Sequence, residues 1–386
     1  MKIVVIGASY LQLPLVKKCK EMGLETHVFA WEDGAVARSI SNYFYPISIT
    51  EKETILKECL LIKPTGVISI ASDLAMNTVN YITSELNLIG NSIESTEVTT
   101  NKYKMREKLS EHGVLCPQFL KLETLDKGKI DLVKDEFKCP YIVKPTDRSG
   151  SRGVTKVENI NDLENAIKRA IGYSLRKECI VEEFVSGDEI SVESISYQGI
   201  HYVLAITDKE TTGSPNFVET AHHQPSIYTT RKKEIEKLVI SALDSLEVKN
   251  GASHTEIKIT KTGELFVIEI GARMGGDFIG SHLVKLSTGY DFVKGVIEVS
   301  LGKFTEPNLK NDFYSGVYFL YSKSQGTILT IKDKTGNYPQ IMEKEINLKI
   351  GDEIKPLTES ADRKGYYIYQ SKEKFCKSNL IELKIQ

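Results

Sequence analysis

The sequence lacks a dominant charge. Its 386 residues carry 50 basic and 52 acidic side chains, a formal balance of −2. A polyanion-binding surface is therefore not the default expectation, although a local basic cleft stays open. It also lacks a long apolar run, since no stretch approaches the roughly 20 residues that span a bilayer. The opening MKIVVIGAS is apolar from residue three. It is too short for a signal peptide, and no small-residue cleavage site follows it. Cysteine is sparse and scattered. The six residues Cys19, Cys59, Cys116, Cys139, Cys179 and Cys376 stand singly, with no CxxC and no histidine at zinc-ligand spacing. That pattern favours reduced thiols in a cytoplasmic protein over a disulfide scaffold or a zinc site. Internal repeats and low-complexity segments are missing too. Neither nucleic acid nor membrane is an expected partner.

What is present has a globular texture, with 41% hydrophobic and 26% charged residues and 27 glycines. At roughly 150 residues per domain, the length allows two or three. Residues 1–100 alternate strand and helix signals: KIVVIG, then the amphipathic SYLQLPLVKKCKEMG, then ETHVFA, YFYPISI and GVISIAS. Such alternation predicts a doubly wound parallel sheet. The first turn, GASYLQ, lacks the later glycines of a dinucleotide fingerprint, so a wall for a substrate site is the better expectation. Residues 101–304 read as α+β with antiparallel strands. They open on the charged helix NKYKMREKLSEHGV, with Asn101 as its cap and Gly113 as its stop. Residues 305–386 are strand-rich with turn signals, which predicts a small third unit or lid.

Three stretches carry chemistry. KPTDRSGSRG (144–153) is not a P-loop, but Gly150 and Gly153 allow backbone amides to turn inward. Ser149 and Ser151 add hydroxyls, and Lys144, Arg148 and Arg152 add positive charge, as a phosphate requires. A solvated hairpin tip is the alternative. VEEFVSGDEISVE (181–193) sets Glu182 and Glu189 on either side of an SG turn. Carboxylates so placed accept from an adenine amino group and a ribose diol, unless the stretch is simply a solvated acidic edge. HTEIKIT (254–260) and ELFVIEI (264–270) are period-two strands joined through KTG. A two-residue Thr262-Gly263 turn pairs Lys261 with Glu264 and puts Glu256 opposite Glu269. Side chains of such a pair start about 5 Å apart on one face. They repel unless a cation lies between them, and hard oxygen ligands favour Mg²⁺. Lys258 shares that face. A one-residue slip would separate the two carboxylates.

The ordered set of these pieces resembles the ATP-grasp fold. It is closest to the carboxylate–amine ligases, including the L-amino-acid ligase branch, and the resemblance covers nearly the whole chain. It implies an enzyme that uses ATP and Mg²⁺, with Mn²⁺ as a substitute, to join a small carboxylate to an amine through an acyl phosphate. Lys102 and Lys144 would contact ATP phosphates, and the loop with Ser149, Gly150, Ser151 and Gly153 would close over them. Glu182, Glu183, Phe184 and Val185 would form the adenine hinge, partly through backbone groups, and Glu189 would hold the ribose. Glu256 and Glu269 would bind the metal, Arg273 would stabilise the transferring phosphoryl group, and Lys258 would sit among the catalytic cations. FVETAHHQPS (217–226) resembles the acceptor-side segment, with His222 orienting a carboxylate or the acyl phosphate. Asp277 would receive a substrate ammonium group, or cap the following helix. A homodimer is implied by the family alone. One departure stands out: many relatives read E-x-N-x-R, with asparagine as a further metal ligand, where this chain has Gly271. The competing readings are a formate- or bicarbonate-using relative and a nucleotide-binding module without turnover.

Overall fold

The computed structural model describes residues 1–214 and 216–386. Four strands, Lys2–Ile6 (β1), Glu25–Phe29 (β2), Tyr43–Tyr45 (β3) and Gly66–Ile68 (β4), form a sheet of order β3-β2-β1-β4, parallel throughout. Helices Leu13–Glu21 (α1), Lys52–Ile62 (α2) and Asp73–Glu85 (α3) complete this doubly wound unit. Its first turn is filled by Gln12, whose amide donates to the Ile70 carbonyl at 2.7 Å. A Cβ on Gly7 would stand 3.0 Å from the same side chain, so no cradle for a dinucleotide remains.

Ile93–Thr100 (α4) and Lys102–Glu111 (α5) follow, and Asn101 caps α5 by accepting from the amides of Tyr103 and Lys104. A four-stranded antiparallel sheet then contains Phe119–Leu122 (β5), Tyr141–Pro145 (β6), Thr155–Val157 (β7) and Cys179–Glu183 (β8), in the order β5-β8-β6-β7. Asp188–Tyr197 (β9), Ile200–Thr211 (β10), Glu219–Gln224 (β11), Gly251–Ile259 (β12) and Leu265–Gly271 (β13) begin a larger antiparallel sheet. The SG turn at 186–187 joins the two sheets. A Cβ on Gly187 would collide with the Ile259 backbone carbonyl, so only glycine passes there.

The C-terminal strands are Tyr314–Phe319 (β14), Gly326–Asp333 (β15), Ile341–Ile346 (β16), Glu353–Ile354 (β17), Gly365–Ser371 (β18) and Ile381–Ile385 (β19). They do not form one separate unit. The large sheet runs β13-β12-β9-β10-β11-β14-β18-β16, so three of them extend it, while β17-β15-β19 make a small sheet of their own. The apolar periodicity of VYFLY and YYIYQ is satisfied by pairing β14 onto β11 and β18 onto β14, which a reading of local pattern does not reveal. Among the described residues no helix is long and apolar enough to cross a membrane.

Candidate active site

The β12–β13 hairpin sets the geometry, and it reaches the expected pairing by an unexpected route. The turn has three residues. Lys261, Thr262 and Gly263 lie between Thr260 and Glu264, whose carbonyl accepts from the Thr260 amide at 3.0 Å. Gly263 takes φ +89°, as three-residue hairpin loops require. That turn alone would shift the register by one residue. A bulge at Ile268 shifts it back, so Ile257 pairs with Val267 while Glu256 pairs with Glu269. The bulge is held by Arg106 of α5, wholly buried, whose Nη2 donates to the Ile268 carbonyl. The two carboxylates therefore share one face because two one-residue offsets cancel.

Each carboxylate holds an ammonium group of the protein. Lys209 Nζ stands 2.8 Å from Glu256 Oε1 and 2.6 Å from Glu189 Oε1, with Glu219 at 3.7 Å. Lys258 Nζ takes the other Glu189 oxygen at 3.0 Å. Lys102 Nζ lies 2.8 Å from Glu269 Oε1 and donates to the Arg148 carbonyl of the glycine loop at 2.8 Å. Burial alone would raise the Glu256 carboxyl, but the Lys209 ammonium and His254 outweigh it and hold the group well below the ordinary carboxylate range. His254 is itself pinned to the buried Glu193. Burial opposes its charge, but the Glu193 carboxylate outweighs burial and lifts the imidazole to about 9.

A second charged group supports the glycine loop. Glu182 is buried, with Lys144 Nζ 2.7 Å from one oxygen and Arg106 Nε 2.8 Å from the other, the latter off the hydrogen-bond line. Its carboxylate thus serves Lys144 and is not free for an adenine amino group, contrary to the expectation from the acidic run. The amides of Glu183 and Phe184 donate to the Gln118 and Pro140 carbonyls at 3.0 and 3.1 Å, which fixes the hinge segment. In the loop, Gly150, Ser151 and Gly153 all have positive φ. Gly150 has open space around its missing Cβ, whereas a Cβ on Gly153 would sit 2.9 Å from that of Tyr173. Gly153 therefore anchors the loop by close packing.

Arg273 and Gly271 are explained together. Arg273 Nε and Nη2 donate to the two oxygens of Asp73 at 2.8 and 3.1 Å, and Nη1 donates to the Met274 carbonyl at 3.3 Å. A Cβ on Gly271 would lie 2.7 Å from Asp73 Oδ1. The space above Gly271 is filled by a carboxylate from the N-terminal sheet's own helix α3.

A cleft of about 220 Å³ collects most of the predicted residues. Lys102, Lys144, Ser149, Gly150 and Ser151 line it beside Glu182, Glu183, Phe184, Val185 and Glu189. Glu256, Lys258, Glu269 and Arg273 complete the set, and Gly271 joins them. Gly153, His222 and Asp277 do not line it. His222 is 1% exposed, neither ring nitrogen has a hydrogen-bond partner, and Nε2 is 3.7 Å from Asp277. Asp277 does not cap the next helical turn, which has no side-chain cap. Its carboxylate is forked by Arg363, at 2.7 and 2.8 Å. An ammonium group would have to displace that arginine.

The model of the ATP-grasp domain matches residues 137–281. Alanine–anticapsin ligase of Bacillus subtilis (strain 168) is 32% identical over 214 residues, 50% of this chain and 44% of that protein. This chain thus spans less than half the length of that relative. The L-arginine-specific L-amino acid ligase of Bacillus subtilis is 24% identical over 79% of this chain and 75% of its own. The crystal structure of L-amino acid ligase from Bacillus licheniformis superposes with a TM-score of 0.83 at 22% identity, covering 100% of this chain and 98% of that one. Residues 137–281 match the ATP-grasp domain, and the fold of the whole chain is similar to that of an L-amino acid ligase. Lys209 in the cleft, Arg106 beneath the bulge, Asp73 at Arg273 and Arg363 at Asp277 carried no signal in the sequence. These four are distant in sequence from the groups they hold, and a charge inside a strand or helix carries no local signal of its partner.

The fit of a divalent cation to this cleft rests on its donors. Glu256 and Glu269 are opposed carboxylates, and each already draws a cation to itself. Among the described residues, no cluster of three or more His, Cys, Asp or Glu side chains stands ready as a metal site. Two hard oxygen groups with few protein ligands suit Mg²⁺, which keeps waters and phosphate oxygens in its shell.

Proposed function

We propose that this chain is an ATP-dependent carboxylate–amine ligase that makes an amide through an acyl phosphate. The observation that carries the reading is the opposed Glu256–Glu269 pair in one cleft with Lys102, Lys144 and Arg273. Glu183, Phe184 and Val185 would border the adenine, and Glu189 would receive the ribose once Lys209 and Lys258 share it. Glu256 and Glu269 would hold Mg²⁺, which supplies charge neutralisation at the phosphates when bound. Lys102, Lys144 and Arg273 would neutralise the phosphoryl group in flight, the main task in such transfers. Ser149, Gly150 and Ser151 would close over the phosphates and keep water from the acyl phosphate. A substrate carboxylate oxygen attacks the γ-phosphorus and ADP leaves. An amine then attacks the acyl carbon and phosphate leaves with loss of a proton.

The relatives named above support small-molecule substrates of this kind. The test is phosphate release across a panel of amino acids, other carboxylates and amines, with mass spectrometry of each product. Substrate-dependent ADP formation and an amide product are expected. A carboxylated or formylated product would point to the formate- or bicarbonate-using reading. ATP binding without any ADP formed would leave only a nucleotide-binding module.

A further inference from the structure

The Asp73–Arg273 fork joins two parts of the chain 200 positions apart. Asp73 is the first residue of α3, whose cap is Ser72. Its carboxylate therefore sits where a helix N-terminus favours negative charge. The fork takes two of the three guanidinium nitrogens, and the Met274 carbonyl takes the third. A bidentate carboxylate fixes both the position and the plane of an arginine, which a single contact does not. The side chains of Arg273 and Asp73 are 14% and 18% exposed, so the pair is desolvated but not sealed. Asp73 and Arg273 also face different spaces. Arg273 lines the nucleotide cleft, while Asp73 lines a neighbouring cleft, and Lys102 and Glu269 line both.

We infer that Asp73 is a positioning residue that holds Arg273 toward the phosphate end of the cleft, and that Gly271 is glycine so that Asp73 can enter. The inference rests on the nucleotide reading given above. A side chain at 271 has no room while Asp73 is there, because a Cβ alone would stand 2.7 Å from Asp73 Oδ1 and 3.1 Å from Arg273 Cζ. Backbone atoms do not yield at that distance, so the carboxylate must move and take the guanidinium with it. The N-terminal unit thereby contributes to the site a group that replaces neither a metal ligand nor a substrate contact. It sets where the arginine points.

The experiment compares the affinities of a non-hydrolysable ATP analogue and of ADP, both with Mg²⁺, by calorimetry. This needs no substrate. It is run on the full chain and on D73N, D73A, G271A and D73A/G271A. D73N keeps the size of the side chain and guards against a folding defect in D73A, and circular dichroism checks each variant. D73A and G271A should each weaken the triphosphate analogue by about tenfold, or roughly 1.4 kcal/mol, and leave ADP unmoved. A purely structural lesion would weaken both. The double variant should be no worse than D73A, because the methyl group then has no carboxylate to displace. An unchanged triphosphate-to-diphosphate ratio in D73N and D73A overturns the inference alone. So does a G271A effect that persists undiminished without Asp73. If the wild-type protein binds neither nucleotide, the nucleotide reading falls and this inference falls with it.

Discussion

The cleft at the β12–β13 hairpin and the Asp277 cluster use the same chemistry, carboxylates beside cations, but close their charges differently. In the cleft, Glu189, Glu256 and Glu269 keep 23–25% of their side chains exposed, and Glu256 and Glu269 each touch cations through one oxygen. The lysines that hold them reach in from other strands or from α5. In the Asp277 cluster both oxygens are taken by one guanidinium, itself 8% exposed and stacked 3.9 Å over Phe319. An open carboxylate with a movable ammonium is able to exchange partners, whereas a closed fork under an aromatic ring resists exchange. The difference separates a place where ligands fit from a place that fastens β13's outgoing loop to β18.

The largest effect should come from the open side. E269Q and R273M are each expected to lower the rate of substrate-dependent phosphate release at least about a hundredfold, with circular dichroism and melting temperature near wild type. Normal turnover in either variant would remove that residue from the reaction and blur the contrast between the two regions.

Next comes the closed side, where stability rather than rate should respond. R363M leaves the half-buried Asp277 beside His222 with its fork gone. Breaking a buried pair from one side is costly, and with Asp277 22% exposed a loss of about 2 kcal/mol in urea unfolding is expected. ADP affinity should not change. A matching loss of ADP affinity would show that the two regions are one.

Acid should sharpen the same contrast. Burial alone would raise the Asp277 carboxyl, but His222 and Arg363 outweigh burial and hold it below its ordinary value of 3.8. A depressed folded value means stability that is fully present above pH 3.8 and is lost as pH falls through the folded value. Unfolding free energy measured from pH 5 downward should therefore decline in the wild type. In R363M, already weaker at neutral pH, this part of the decline should shrink to what His222 sustains.

How much of this was legible in sequence depends on the range of the signal. The parallel N-terminal sheet, the Asn101 cap and the opposed Glu256–Glu269 pair all follow from local periodicity and turn chemistry. Even so, the pair forms through cancelling offsets, a three-residue turn and a bulge at Ile268. Neither Arg106 under that bulge nor Lys209 between Glu189 and Glu256 had a local cue. The same holds for Asp73 at Arg273 and Arg363 at Asp277, where strand and helix termini meet only after folding. Gly271 was visible as a departure, but its cause lay in Asp73, in a different unit of the fold. The strands after residue 305 misled for the same reason: their apolar faces are alike whether they build a separate unit or extend an existing sheet.

The smallest effect should come from His222, and it bears most directly on the comparison. The resemblance gives this residue a substrate role, yet its ring is sealed, edge-on to Phe319 and without a hydrogen bond. A buried polar ring without partners is a liability that an apolar side chain of similar size removes. H222L should therefore unfold within about 1 kcal/mol of wild type. Burial also depresses the imidazole below its ordinary 6.5, so the wild type should lose stability as pH falls beneath that value and H222L should not. Phosphate release is expected to persist, because the ring lies outside the cleft lining. If H222L stays folded and turnover vanishes, the closed cluster is part of the reaction after all, with Asp277 and Arg363 opening to admit a substrate.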